Sequence, residues 1–148
     1  MEDCLFCKIA NKEIPSEIIY EDDWSIGFLD LHPLSIGHTL VIPKKHAENI
    51  IDLPEESVGR VFGAVKLITE AMNNAFKPQG FTIGINHGRM SGQLVDHLHV
   101  HIITRYQGDN GGSIHTVVKN PPKEPLEQVR SELKKAVDSL QNNKNLNN

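Results

Sequence analysis

The run His97-Leu98-His99-Val100-His101-Ile102-Ile103-Thr104 alternates imidazoles with aliphatic side chains. Period two is the repeat of a β-strand, so three rings share one face while Leu98, Val100 and Ile102 enter apolar packing on the other. With eight histidines in 148 residues, three at alternating sites are expected by chance on the order of 0.02 times. The chain must therefore build a sheet with one greasy face and one row of titratable nitrogens.

Other segments supply the rest of that sheet. Residues 16–20 and 24–29 are short apolar runs parted by the acidic turn Glu21-Asp22-Asp23, with Pro15 just before the first, which predicts a hairpin. Residues 38–43 predict a third strand, entered through the Pro- and Gly-containing loop 32–37 and closed by Pro43, so the three strands form an antiparallel meander. Val58, Val61, Phe62, Val65, Ile68, Met72 and Phe76 follow at helical spacing, with Asp52 and Glu55 placed as a capping box and Pro78 beyond the end. Residues 81–85 and 97–104 predict two further strands, joined by a loop over 86–93 that is long for a plain hairpin and suits a ligand.

After the flexible 108–112 segment and Asn120-Pro121-Pro122, the residues Leu126, Val129, Leu133, Val137 and Leu140 predict an amphipathic C-terminal helix. The last seven residues hold five Asn and are expected to be disordered. The expected architecture is α+β: an antiparallel β-sheet with one long crossing helix and a C-terminal helix. Its organisation is a domain over 1–122, a helix over 123–141 and a tail over 142–148.

A chain of this length has room for one domain that buries roughly 68–70% of its unfolded surface. Fifteen Lys and Arg against nineteen Asp and Glu leave a net charge of −4, without the basic field that non-specific nucleic-acid binding needs. No apolar run approaches a membrane span, and residues 1–10 do not read as a secretory signal, so a cytoplasmic location is expected, with neither nucleic acid nor membrane as partner. Cys4 and Cys7, three apart, suggest a metal or redox pair in a reducing compartment.

Two chemistries fit the histidine row: a metal site of neutral imidazoles, or covalent catalysis in which one ring attacks and its neighbours tune it. Upstream, Asn86, Ser91, Gly92 and Gln93 offer donors on a glycine-permissive loop suited to phosphate, although such side chains also commonly satisfy their own loop backbone.

The residues His97 to Ile103 together with Gly37-His38-Thr39-Leu40-Val41-Ile42-Pro43-Lys44-Lys45-His46 resemble the histidine triad (HIT) superfamily. The likeness extends over about residues 3–106 through Phe6, Lys8-Ile9, Glu13-Ile14-Pro15, Tyr20-Glu21-Asp22-Asp23, Phe28-Leu29-Asp30, Asn86 and Gly92-Gln93. The resemblance implies nucleotidyl transfer or hydrolysis at an α-phosphorus through a nucleotidyl-histidine on His99. A neutral imidazole supports this when its other nitrogen donates to a fixed acceptor such as a carbonyl. His101, Gln93 and backbone N–H groups then serve the phosphate oxygens, and His101 also the leaving group.

The same resemblance makes His38 a buttress of the row, Asp30 an acceptor for ribose hydroxyls, and Leu5, Phe6, Ile14, Phe28 and Leu31 an apolar slot for the base. It implies a purine, AMP-like nucleotide as ligand and a homodimer. In the zinc-binding branch with paired N-terminal cysteines, the metal takes residues like Cys4, Cys7, His46 and His97, which implies a structural zinc. Two positions depart from the pattern: Leu94 stands where many relatives carry Ser or Thr, removing one phosphate donor, and Asp96 stands where an aromatic or basic residue is usual. The rival readings are a metallohydrolase using the His row, opposed by the lack of nearby carboxylates, and a nucleotide-binding scaffold disabled by Leu94.

Overall fold

The computed structural model describes residues 3–146. In chain order it contains α1 (Leu5–Ala10), β1 (Ile18–Glu21), β2 (Ser25–Leu29), β3 (Thr39–Pro43), α2 (Glu55–Phe76), β4 (Gly80–Gly84), β5 (Val100–Arg105) and α3 (Leu126–Leu146), with 3-10 turns at Arg89–Ser91 and Ile114–Thr116. The strands form one antiparallel sheet in the order β1-β2-β3-β5-β4. The predicted meander is its first half. The α+β architecture is the one expected.

Alternation along the strands sorts the core into two layers. Val41, Leu98, Val100 and Ile102 pack against Val61, Ala64, Val65, Ile68 and Met72 of α2. Ile26, Phe28, Leu40 and Ile42 face the opposite way and pack against Phe6 and Ile9 of α1. Each such side chain, fully buried, contributes roughly 1.5–3 kcal/mol. Close seating of α2 depends on Gly27, where a Cβ would lie 2.6 Å from Ile68 Cδ1.

Four local expectations are corrected. Helix α1 was not foreseen, because six residues are too few for a periodicity to show and its apolar positions are ordered by packing on the sheet. The capping box is absent: α2 has Pro54 at its N-cap with no side-chain cap, and Asp52 instead accepts from Asn49 Nδ2 at 2.6 Å. Strand β5 starts at Val100, since Leu98 N–H donates to Ala47 O at 2.7 Å and no longer to β3. Helix α3 continues through Leu146, so residues 142–146 are helical; 147 and 148 lie outside the described residues.

Contacts divide the chain into a unit ending at Ser113 and a second beginning at Ile114, which is α3 and the turn before it. The predicted boundary at 122 falls inside the second unit. All residues of the candidate site lie in the first. Among the described residues no helix is long and apolar enough to cross a membrane.

Candidate active site and metal centre

Although His97 and His99 precede β5, the two-residue alternation persists through them. Leu98 is buried toward α2, and the rings of His97 and His99 meet the edge of Phe6 on the α1 side, at centroid distances of 6.0 and 5.2 Å. His101 pairs with Leu40 across the β3–β5 ladder, and its ring lies 5.0 Å from that of His99. The row is assembled as its spacing predicts.

Backbone groups set the protonation pattern of each ring. His99 Nδ1–H donates to the carbonyl of His97 at 2.7 Å, which leaves the lone pair on Nε2. Among the described residues, Ser16 Oγ is the one buried side-chain polar atom without a partner. Among the described residues His99 Nε2 makes no hydrogen bond, and since it is not among the buried unpartnered atoms it touches solvent although the residue is only 6% exposed. The central nitrogen is neither sealed in apolar side chains nor part of the Cys-His cluster described below.

His38, from the turn before β3, is buried. Its Nδ1 accepts the N–H of Leu34 at 3.2 Å, so its proton sits on Nε2 and is donated to His101 Nδ1 at 2.9 Å. His101 therefore carries its own proton on Nε2, facing outward as a donor. Burial holds His38 below the usual imidazole range, opposed by Asp30, whose carboxylate lies 3.6 Å from Nδ1. Burial, with His99 and His38 nearby, pushes His101 down to about 4. Both rings are neutral at pH 7. The site thus offers a lone pair at His99 next to an N–H at His101.

Asp30 also accepts the His32 N–H at 2.8 Å, and a cavity of about 370 Å³ opens beside Asp30 and His38, walled by Leu29, Pro33, Leu34 and Ile36. The five residues expected as a base slot do not line it. Phe6 and Phe28 are core side chains packed edge to face at 5.6 Å, with Ile14 half-buried against the same cluster, because the α1–sheet interface needs them as filling. Leu5 and Leu31 are exposed.

In the 86–93 loop, Gly88 and Gly92 take positive φ of 80° and 91°. Gln93 is buried and donates both amide protons, to Glu48 O at 2.7 Å and Val95 O at 3.1 Å, while accepting Gly88 N–H at 2.7 Å. The expected phosphate donor is instead the brace of its loop. Asn86 is half-buried beside Gly92, and among the described residues its amide makes no hydrogen bond within the chain. Leu94 is almost fully exposed, and Asp96 sits 3.6 Å from Arg89 on the surface.

Behind the row, Cys4, Cys7, His46 and His97 bring one ligand atom each within 4.8 Å of one another. His97 Nε2–H donates to Pro43 O at 2.9 Å, which turns a bare Nδ1 toward Cys4 Sγ at 3.4 Å and Cys7 Sγ at 3.5 Å; His46 Nδ1 is 3.3 Å from Cys7 Sγ. Two sulfurs and two imidazole nitrogens, one ring already oriented by a carbonyl, fit a closed tetrahedral zinc set. Burial and the neighbouring Cys4 push the Cys7 thiol up to about 11, a cost that a bound divalent cation reverses. Asp30, His38 and His101 also converge, but their short contacts are already used between the rings. The sequence reading expected a carbonyl acceptor for the nucleophile but did not identify the groups that serve: the Leu34 N–H, the Pro43 and His97 carbonyls and, for His101, the His38 ring fix the tautomers.

The HIT domain family model matches residues 11–108. An uncharacterized HIT-like protein of Methanocaldococcus jannaschii is 41% identical over 131 residues, covering 88% of this chain and 98% of the relative. An adenosine 5'-monophosphoramidase of Schizosaccharomyces pombe is 40% identical over 108 residues, covering 73% of this chain and 78% of that protein. The crystal structure of a HIT family protein from Bacillus anthracis superposes with a TM-score of 0.83 at 34% identity, over 93% of this chain and 97% of that one. This chain belongs to the HIT family.

Proposed function

We propose that the protein is a nucleotide hydrolase or nucleotidyl transferase, acting at the α-phosphate of purine nucleoside phosphoramidates, adenylates or dinucleoside polyphosphates. One observation carries this reading: His99 Nδ1 is tied to the His97 carbonyl, which directs the Nε2 lone pair away from that bond as the candidate nucleophile. The name of the fission-yeast relative, a monophosphoramidase, agrees with it.

On this reading His99 Nε2 attacks the α-phosphorus and the bond from phosphorus to the leaving group breaks, giving a nucleotidyl-histidine. With a phosphoramidate, the amine departs with one proton drawn from solvent. His101 Nε2–H hydrogen-bonds the reacting oxygens and the departing atom, and the Asn86 amide and loop N–H groups bind the remaining oxygens. Water then forms the new bond to phosphorus, the bond to Nε2 breaks, and the water's second proton returns to solvent. Asp30 retains lone pairs for ribose hydroxyls beside the cavity.

Cys4, Cys7, His46 and His97 would hold a zinc ion, which would supply a structural cross-link; His99 Nε2 is not one of these four ligand atoms. Free thiols at both cysteines suit a reducing, cytoplasmic compartment. The reading includes a homodimer, and β4, an edge strand carrying the exposed Ile83, supports pairing through that strand.

The test is to quench the protein during turnover of adenosine 5'-phosphoramidate and map the adduct by mass spectrometry. A nucleotidyl group on His99, and a rate reduced by about 10³-fold or more in His99→Ala, are expected. Full activity in His99→Ala refutes the mechanism. Turnover lost to a chelator with no adduct favours the metallohydrolase, and tight binding without turnover favours a scaffold.

A further inference from the structure

Residue 97 belongs to two constellations at once. Its Nδ1 faces both sulfurs, and its carbonyl is the acceptor that holds the His99 proton on Nδ1. A second link runs through α1: Phe6, between the two cysteines in sequence, sets its ring edge against His97 and His99. Cys4 stands at the N-cap of this helix and Cys7 in its first turn, their sulfurs within 4.8 Å, and both residues are only half-buried. Oxidant reaches them, and the sulfurs need to close only to the roughly 2.05 Å of a disulfide.

We propose that Cys4 and Cys7 form a thiol–disulfide site through which a hydroperoxide switches off the nucleophile His99. The inference rests on the catalytic reading above and adds regulation of that same site. One thiolate attacks a peroxide oxygen, the O–O bond breaks and a sulfenic acid forms, while the departing oxygen takes a proton from solvent and leaves as an alcohol, or as water when the oxidant is hydrogen peroxide. The second thiolate attacks that sulfur, the S–S bond forms and the S–O bond breaks, and the departing hydroxide takes a solvent proton and leaves as water. Two electrons pass from the thiols to the peroxide, and a disulfide reductant reverses the change. Closing the disulfide draws both sulfurs off His97 Nδ1 and moves α1 with Phe6. His97 loses the restraint on one side of its ring, and its carbonyl no longer holds the His99 tautomer.

The experiment uses the full chain loaded with Zn(II), titrated with hydrogen peroxide and followed by four readouts. These are peptide mapping of the disulfide, zinc release to a chromogenic chelator, imidazole ¹H–¹⁵N correlations of His99, and hydrolysis of adenosine 5'-phosphoramidate. Expected are a Cys4–Cys7 disulfide, one zinc released per disulfide, loss of the His99 Nδ1–H correlation and at least a tenfold fall in rate. Dithiothreitol with Zn(II) restores all four. The proposal is overturned if the disulfide forms while the His99 correlation stays unchanged, or if peroxide alters that correlation equally in a Cys4→Ser, Cys7→Ser double variant. Should the untreated protein hydrolyse nothing, the catalytic reading fails, while the ring correlation still decides whether the two sites are coupled.

Discussion

His38 donates its Nε2–H to His101 Nδ1 across 2.9 Å, and the Leu34 N–H, donated to His38 Nδ1, is what keeps that proton on Nε2. A polar chain of three members, begun by a backbone amide, thus decides which nitrogen of His101 is left as the donor. Removing His38 leaves His101 free to adopt the other tautomer. For His38→Ala we expect kcat to fall about 10- to 100-fold with KM changed by less than threefold, since the ring orients a donor and need not touch the nucleotide. Equal losses in binding and turnover contradict this role.

Chelation separates a structural from a catalytic metal. On the proposed structural zinc, stripping the metal from Cys4, Cys7, His46 and His97 is expected to lower the melting temperature, by the equivalent of about 2.7 kcal/mol when free zinc had stood at 100 times its dissociation constant. The His99 adduct still forms in whatever fraction remains folded. Metal analysis, calorimetry and adduct mapping on the same sample check this; an unchanged melting temperature after metal loss argues against a structural ion.

Acid acts through rings that the fold keeps neutral. His101, at about 4, and His38, also lowered, take up protons more readily once unfolded, where imidazole titrates near 6.5. The unfolded chain therefore binds more protons between these values. Stability is full above pH 6.5 and falls as pH drops toward 4, by up to about 1.4 kcal/mol per pH unit for each proton. Urea denaturation of the metal-free, reduced protein across this window measures it, and His101→Asn should flatten the slope.

Gly37 is the hinge of the turn that delivers His38. Its φ is +75°, and a Cβ there would stand 2.5 Å from Cε2 of the Phe76 ring. Positive φ and a rigid aromatic edge both oppose a side chain, so Gly37→Ala is expected to cost about 1–3 kcal/mol. Gly63→Ala, on an open face of α2, should be neutral or slightly stabilising by contrast. Chemical denaturation of the pair decides whether the clash is real.

What was legible in the chain follows from range. The His97 to Thr104 alternation and the Val58 to Phe76 stripe are local periodicities; the first predicts the observed faces, and the second does so at Val58, Val61, Val65, Ile68 and Met72, whereas Phe62 and Phe76 come out exposed. The Cys4, Cys7, His46 and His97 group converges as the family resemblance implied. Asp52 misled because a capping side chain has an equally near alternative in Asn49. Gln93 misled because its carbonyl partners, Glu48 and Val95, come from backbone whose path no spacing rule supplies. The tautomers were invisible for the same reason, being written by the carbonyls of Pro43 and His97 and the amide of Leu34.

Helix α1 roofs the candidate site's face with fewer than two turns, whereas α2 roofs the other with about six. So short a helix has no stability of its own. Its hold on the sheet is Phe6, Ile9 and two sulfurs, and hydrogen exchange should find the α1 amides opening well below the energy that unravels the sheet. On the proposed function the molecule loses its chemistry before its shape, and ageing or heat-stressed samples are expected to keep a native circular dichroism spectrum after their turnover has gone.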